Sequence, residues 1–412
     1  MKVAVVSLGC KVNKYESDSI LQNYFENGYE ITDKLEEADV YIINTCAVTN
    51  EAEKKSRQMV ARCRKYNPDA TIYICGCAGQ KNPKQFEGKG IQLIKGVAGK
   101  QNLYKEKEEK GVKVDELPLS YQKMAFPCQS RTRAYLKVQD GCNNFCTYCI
   151  IPYLRGRSRS RSVEDILQEV QNLPEDIKEI VVVGINVSDY KIDGKKGLID
   201  LLEELDKFDK RIRLGSMEDG IIDEDFVSRL SKLKNFCPQF HMSLQSGCDT
   251  VLKRMNRHYK AEQFAESVRL IRKYFPKAGV TTDVIVGFPG ETDEEFEETR
   301  KFIEKVKFSA LHIFQYSHRE GTVASRMTDV APEIKKKRAK VLEKLNEKLE
   351  NEFISQNDVL SVLIEEQENG YWVGHSKNFI KCYIMGQYKV GDIVNVKITK
   401  KYLDGVLVEK FN

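Results

Sequence analysis

Histidine is scarce: five residues in 412, scattered singly. There is no HExxH helix and no histidine-rich zinc site. Long apolar runs are missing as well. Nothing approaches the ~20 consecutive apolar residues that span a bilayer. The start, MKVAVVSLGC, has the charge-then-apolar order of a secretory leader. However, Val3 to Leu8 falls short of the ~7–15 apolar residues of such leaders, and no small-residue cleavage site follows. The reading is a buried strand in a cytoplasmic protein with no membrane partner. Excess charge is absent too. A net charge of +5 excludes a polycation, so any nucleic-acid site has to be a local patch.

Cysteine, by contrast, is plentiful, with twelve residues. In a compartment that keeps thiols reduced, this argues against a disulfide scaffold and for ligation or redox work. The composition, 41% apolar and 31% charged, is that of a globular chain long enough for two or three cores.

Residues 1–125 alternate apolar strand-length runs (VAVVSL, ADVYIINT, ATIYICG) with helical patterns, which predicts a parallel, Rossmann-like α/β domain. Residues 105–130 read as a charged linker. Over 130–355 the alternation restarts, with strands at AYLKVQ, EIVVVG, RIRLGS, QFHMSL, VTTDVIVG and ALHIFQYS. Six β-α units predict a partial, TIM-like (β/α)6 barrel, followed by a long basic helix over 332–354 with Pro near its start. Residues 356–412 carry alternating Val/Ile strands between glycine turns and predict a small antiparallel β-barrel.

The strongest local signal is Cys142-Asn-Asn-Phe-Cys146-Thr-Tyr-Cys149. A cubane [4Fe–4S] cluster normally takes four cysteines, so three leave one iron open. Zinc needs a fourth partner, and none follows closely. The competing reading is three buried thiols spaced by chance. Catalytic loops of such a barrel gather at the carboxyl ends of its strands. That brings Asn186, Glu218, Ser243, Gln245, Gly287 and Glu291 to one mouth, as candidates to hold a cosubstrate. In the N-terminal domain, Cys10, Cys46 and Cys77 each follow a strand. Residues past the ends of parallel strands converge on one edge, which suggests a second three-cysteine cluster with an open position. Cys75 competes with Cys77 but lies within its strand. Cys248, in the loop QSGCD, stays ambiguous. Cys63, Cys128, Cys237 and Cys382 read as small buried hydrophobes.

These stretches carry a resemblance over nearly the whole chain. CxxxCxxC is the signature of the radical SAM superfamily. LGCKVNKYES, INTCAVT, GCAGQ, QDGCNNFCTYCIIPYLRGRSRSR, HMSLQSGCDTVLKRMNR, VIVGFPGET and YSHREGTVAS are similar to the radical SAM methylthiotransferases. The first and fourth of them resemble the branch acting on N6-threonylcarbamoyladenosine of tRNA. Two features depart from the pattern: GCAGQ lacks the usual aromatic after Cys77, and Gln315 stands where proline is common.

The resemblance implies two [4Fe–4S] clusters, held by Cys142, Cys146 and Cys149 and by Cys10, Cys46 and Cys77. It implies S-adenosylmethionine as both methyl donor and radical source, with Tyr148 near its adenine. It implies hydrogen abstraction and methylthio insertion at C2 of the adenine at position 37, an electron donor such as flavodoxin or ferredoxin, and a TRAM-like RNA-binding barrel at the end. The alternatives are the same chemistry on N6-isopentenyladenosine or on a ribosomal protein, another radical reaction such as C-methylation, or a non-catalytic iron–sulfur RNA-binding or redox-sensing protein.

For the RNA, Arg155, Arg157, Arg159 and Arg161 alternate beside the radical motif and are candidates to grip phosphates of the anticodon stem-loop. The C-terminal barrel balances its lysines against its acids, so a grip there has to come from one face, with Lys377 and Lys400 and aromatics such as Phe379 as candidates. Self-contained domains imply a monomer.

Overall fold

The computed structural model describes residues 1–88, 90–127 and 132–411. Cys128 lies outside them. The N-terminal part runs β1 (Lys2–Ser7), α1 (Lys11–Glu26), β2 (Glu30–Thr32), β3 (Val40–Thr45), α2 (Asn50–Tyr66), β4 (Thr71–Gly76), α3 (Cys77–Lys81), β5 (Leu93–Lys95) and β6 (Gly111–Lys113). The six strands form one parallel sheet in the order β2-β1-β3-β4-β5-β6. Both faces are buried, which is why the strands read as unbroken apolar runs. Alternate residues feed two cores: Ala4, Tyr41, Ile43 and Ile74 on one face, Val3, Val5, Ile42 and Tyr73 on the other. β6 falls inside the expected linker. Its charged sequence hid a strand that pairs only along the sheet's edge, where one neighbour suffices.

The second part runs β7 (Arg133–Lys137), β8 (Gln139–Asp140), α4 (Ile151–Arg155), β9 (Arg159–Ser160), α5 (Val163–Gln171), β10 (Glu179–Val183), β11 (Lys191–Ile192), β12 (Lys195–Lys196), α6 (Leu198–Leu205), β13 (Arg211–Leu214), β14 (Ser216–Met217), α7 (Glu224–Leu230), β15 (Gln239–Gln245), α8 (Asp249–Arg254), α9 (Ala261–Tyr274), β16 (Gly279–Val286), α10 (Asp293–Val306) and β17 (Ala310–Gln315). Its long strands form two parallel sheets, β13-β10-β7 and β14-β15-β16-β17, joined by a bridge between Ile212 and Phe236. One face of this arc packs Ile180, Val182, Leu214, Met242, Val284 and Leu311 under the helices. Strand alternation sends Val181, Arg213, His241, Asp283 and His312 to the other face, into the bore of the arc. Val12 of α1 packs there against Val181 and Val183, so the N-terminal part covers the bore.

The long helix α11 (Pro332–Ser355) follows. Then β18 (Val359–Glu368), β19 (Tyr371–Ser376), β20 (Lys381–Ile384), β21 (Ile393–Tyr402) and β22 (Gly405–Lys410) form a closed barrel in the order β18-β19-β20-β22-β21. It is not wholly antiparallel as expected: β20 and β22 pair parallel. β20 was not legible as a strand, because KCYI is short and starts with a charge. Among the described residues, no helix is long and apolar enough to cross a membrane.

Candidate active site

Three neighbouring strands deliver the N-terminal cysteines. β1 ends before Gly9-Cys10, β3 before Cys46 and β4 before Cys77, all at the carboxyl edge of the sheet. Gly9 has φ +94°, and a side chain there would place its Cβ 2.5 Å from Cys46 Sγ. Only glycine allows Cys46 to reach the backbone beside Cys10. Electrostatically the three thiols sense one another: Cys77 and Cys10 both push Cys46 upward, after burial, which alone does most to bring it to about 11. Cys75 is fully buried on the opposite face, with Val5, Tyr24 and Ile42, and cannot join them. Three thiols, with no fourth cysteine at this edge among the described residues, suit a cluster that keeps one iron open.

The stretch LGCKVNKYES resolves residue by residue into a joint. Asn13 Nδ2 donates to Leu8 O (2.8 Å) and Thr45 O (2.9 Å), tying the ends of β1 and β3 together. Ser17 Oγ donates to Asn13 O. Tyr15 OH donates to Glu169 Oε2 at 2.8 Å. Glu16 is fully buried and pairs with Lys100, with Lys137 (2.6 Å) and with Arg155 (3.0 Å). Burial would raise its pKa, but Arg155, Lys100 and Lys137 outweigh that and hold it well below the usual carboxylate range.

The second cysteine set lies between β8 and α4. β8 pairs with β9, and the Gln139 side chain pins the loop: Nε2 donates to Gly141 O (2.7 Å), while Oε1 accepts the Asn186 N–H (2.8 Å). Gly141, at φ +74°, sits so close that an added Cβ would lie 2.0 Å from Arg157 O. Thr147 N–H donates to Met255 O, linking the loop to the end of α8. Burial raises the thiols, Cys142 to about 11 and Cys149 to about 12. Arg257 Nη1 donates to Cys146 Sγ at 3.3 Å, a bond that fixes where this sulfur points.

Beside this loop opens a cavity of about 530 Å³, lined by Cys146, Asn186, Ser188, Glu218, Arg257 and Tyr259 among others. Its size suits a nucleoside-bearing cosubstrate. Arg257 pairs two-pronged with Glu218 and donates to Ser243 O (2.9 Å), where Tyr259 OH also bonds (2.8 Å). Asn186 and Glu218 line this cavity, and the Ser243 carbonyl lies behind Arg257 and Tyr259. Gln245 is buried at an irregularity in β15, at φ +66°. The sequence reading missed Arg257, Ser188 and Tyr259. Arg257 closes the quoted stretch HMSLQSGCDTVLKRMNR, but nothing in that stretch singles it out, and no motif marks Ser188 or Tyr259.

Other residues singled out in the sequence are not among those lining this cavity. Glu291 Oε2 accepts the Gly287 N–H (2.7 Å) and pairs with Arg338 of α11 (2.7 Å), so both residues fasten a loop to a helix instead of facing the cavity. Tyr148 packs against the cluster of Cys248, Phe288 and Tyr316 and is not among the cavity's lining residues. Cys248 is buried there, its Sγ 3.1 Å from Thr250 Oγ1.

Three of the four arginines are not available to RNA. Arg155 is 1% exposed and bonds to Asn13, Glu16 and Asp140. Arg159 donates to the carbonyls of Arg155 and Arg157. Arg161 is locked to Asp165 and Glu169. Only Arg157 is exposed, over the Phe145 ring at 4.4 Å. In the C-terminal barrel, Phe379 lies under Arg213 (4.7 Å) and Arg133 (5.4 Å), at a joint with the arc. Lys377 O accepts from Arg213 at that joint, whereas Lys400 is exposed.

The chain matches the Radical SAM superfamily over residues 136–303 and the Uncharacterized protein family UPF0004 over residues 2–96. It is 42% identical to Threonylcarbamoyladenosine tRNA methylthiotransferase MtaB of Bacillus subtilis (strain 168), over 97% of this chain and 94% of that protein. The Aquifex aeolicus (strain VF5) protein of the same name is 37% identical, over 97% and 100%. A tRNA-2-methylthio-N(6)-dimethylallyladenosine synthase of Anoxybacillus flavithermus (strain DSM 21510 / WK1) is 35% identical, over 99% and 83%. Among solved structures, the radical S-adenosylmethionine methyltransferase TsrM from Kitasatospora setae shares the fold, with TM-score 0.58 at 14% identity over 79% of this chain and 74% of that one. With similarity to named relatives running from end to end and a cysteine set at each of two sites, the chain belongs to the radical SAM methylthiotransferase family.

Proposed function

We propose that this protein inserts a methylthio group at C2 of N6-threonylcarbamoyladenosine at position 37 of tRNA, beside the anticodon. One observation carries the reading: a three-cysteine edge of one parallel sheet stands in the same molecule as a three-cysteine loop with a nucleoside-sized cavity. The relatives bearing this activity in their names, at 42% and 37% identity over nearly the whole chain, support the choice of base. S-adenosylmethionine and [4Fe–4S] clusters are its cofactors. When bound, they supply the one-electron chemistry that an unactivated aromatic C–H requires.

The chain's own residues divide the work. Cys142, Cys146 and Cys149 hold one cluster, with Arg257 donating to Cys146. Cys10, Cys46 and Cys77 hold the other. Asn186, Glu218, Ser243 and Tyr259 orient the cosubstrate in the cavity. Exposed Arg157 and Lys400 contact RNA, with the closed C-terminal barrel acting as a TRAM-like clamp on the anticodon stem-loop. The protein works as a monomer on the cytoplasmic tRNA pool and draws electrons from a flavodoxin or ferredoxin.

Mass spectrometry of tRNA nucleosides from cells with and without the protein tests this. The 2-methylthio derivative of threonylcarbamoyladenosine appears only with it. A methylthio group found solely on isopentenyladenosine, or on a ribosomal protein, would overturn the choice of substrate.

A further inference from the structure

The stretch YSHREGTVAS, residues 316–325, follows β17 and belongs to neither cysteine set. Its start stays with the arc: Tyr316 N–H donates to Val286 O at 2.9 Å. Its far end reaches the CxxxCxxC loop. Ala324 N–H donates to Thr147 O at 2.8 Å, and Thr147 stands between Cys146 and Cys149.

Between these anchors, Arg319 crosses to the N-terminal part. It is 2% exposed, so it is not a surface charge offered to RNA. Nη1 donates to Asn50 Oδ1 at 2.6 Å and lies 3.6 Å from Glu53 Oε1, while Nη2 donates to Ser317 Oγ at 3.2 Å. The backbone is fixed as well: Arg319 O accepts from the N–H (3.1 Å) and the hydroxyl (2.8 Å) of Thr322. Both ends of this residue are therefore held.

Its partners lead to the other cysteine set. Asn50 and Glu53 open α2, which begins shortly after Cys46. The first turns of that helix hold the cysteine: Ser56 Oγ accepts the Cys46 N–H at 3.3 Å and donates to Ala52 O at 2.8 Å. Glu53 also pairs with Lys81 at 2.6 Å, and Lys81 ends α3, which begins at Cys77. The helices that follow Cys46, Cys77 and Cys149 leave a cavity of about 760 Å³, walled by Glu53, Lys81, Ile150, Glu320 and Gly321 among others. The cavity interrupts the packing of the two parts there, which leaves more of their register to polar bonds.

We propose that Arg319 is a positioning residue that fixes the separation of the two cysteine sets. This rests on the two-site reading proposed above. Deoxyadenosine needs the loop alone, whereas methylthio product needs both sets to meet at one base. A displacement of about 1 Å between reacting groups can cost about a hundredfold in rate. Arg319 therefore governs the insertion and not the formation of deoxyadenosine. The Glu16–Arg155 pair fastens the Cys10 side of the same seam, and Arg319 fastens the side of Cys46 and Cys77.

The test uses reconstituted holoenzyme with S-adenosylmethionine, a reductant and tRNA carrying threonylcarbamoyladenosine. Iron per chain, deoxyadenosine, and methylthio nucleoside per deoxyadenosine are read. Arg319→Met keeps iron and the deoxyadenosine rate within about twofold and lowers the ratio by about tenfold or more. Asn50→Ala acts in the same direction from the other end of the bond, and the double variant is no worse than Arg319→Met, because both substitutions break the same contact. Arg319→Lys, which keeps a charge beside Glu53, retains part of the ratio. Hydrogen exchange on the iron-free protein is independent of activity: Arg319→Met speeds exchange at residues 50–56 as well as at 317–325. An unchanged ratio with intact iron, additive losses in the double variant, or faster exchange at 317–325 alone overturns the proposal. If Arg319→Met loses iron, Asn50→Ala, which removes the same bond at an exposed helix start, decides by the same readings. A wild type that makes deoxyadenosine but no methylthio nucleoside overturns the substrate reading instead, and exchange then decides on Arg319.

Discussion

The two cysteine sites are built by opposite strategies. Cys142, Cys146 and Cys149 fall within eight residues of one loop, and local bonds from Gln139 and the backbone hold that loop. Cys10, Cys46 and Cys77 come from three strands, and the fold of a whole sheet brings them together. A contiguous site depends on its loop. An assembled site depends on everything that fixes the register of its strands and their neighbours. The buried network around Glu16 and Arg155 sits where that dependence is greatest.

This contrast can be broken most severely at the loop. Cys146→Ala removes one of the proposed cluster ligands and the acceptor of the Arg257 bond. It abolishes both deoxyadenosine formation and methylthio product, and iron falls from about eight to about four per chain. Deoxyadenosine formed at wild-type rate would refute the assignment of this loop.

Next comes Arg155→Met. Glu16 and Asp140 lose a buried guanidinium that bonds to both. Breaking such a pair costs about 3–5 kcal/mol, so the urea midpoint drops sharply. A surface role in RNA binding would predict no such drop.

Gly9→Ala acts more locally. The added methyl lies 2.5 Å from Cys46 Sγ at a φ of +94°. Iron at the strand-edge site falls while iron in the loop stays, which site-resolved Mössbauer or EPR signals would separate.

Acid titration sharpens the comparison at the joint with the C-terminal barrel. Burial raises Glu179, but Arg213 and Arg133 outweigh it and hold its carboxyl at about 2. A depressed carboxyl contributes stability above its unfolded pKa and loses it as pH falls. The Glu179 contribution is therefore complete above about pH 4.5 and fades towards pH 2. Glu179→Gln flattens that part of the stability curve. An unaltered acid limb would contradict the pairing.

The smallest effect is at the surface. Arg157→Ala leaves stability within about 0.5 kcal/mol and weakens stem-loop binding, lowering the salt slope by about one.

What the sequence made legible follows the same division. CxxxCxxC was readable because its chemistry lies in local spacing. The strand-end cysteines were readable because parallel strands align their carboxyl ends. The arginines after the motif misled because a run RGRSRSR does not reveal its partners. Those include Glu16 and Glu169, distant in sequence or hidden in helices, and backbone carbonyls of the run itself. His241 and His312 looked solitary, since only adjacent strands of a twisted arc bring them to Asp283. The parallel pairing of β20 with β22 depends on how the barrel closes and leaves no mark in the alternation of Val and Ile.

The division of labour between the two cysteine sites is tested most directly by Cys46→Ala, assayed with S-adenosylmethionine, a strong reductant and tRNA carrying threonylcarbamoyladenosine. The account predicts that deoxyadenosine still forms while the methylthio nucleoside disappears. Methylthio product from this variant would contradict it, and so would complete loss of deoxyadenosine with the loop cluster's iron intact.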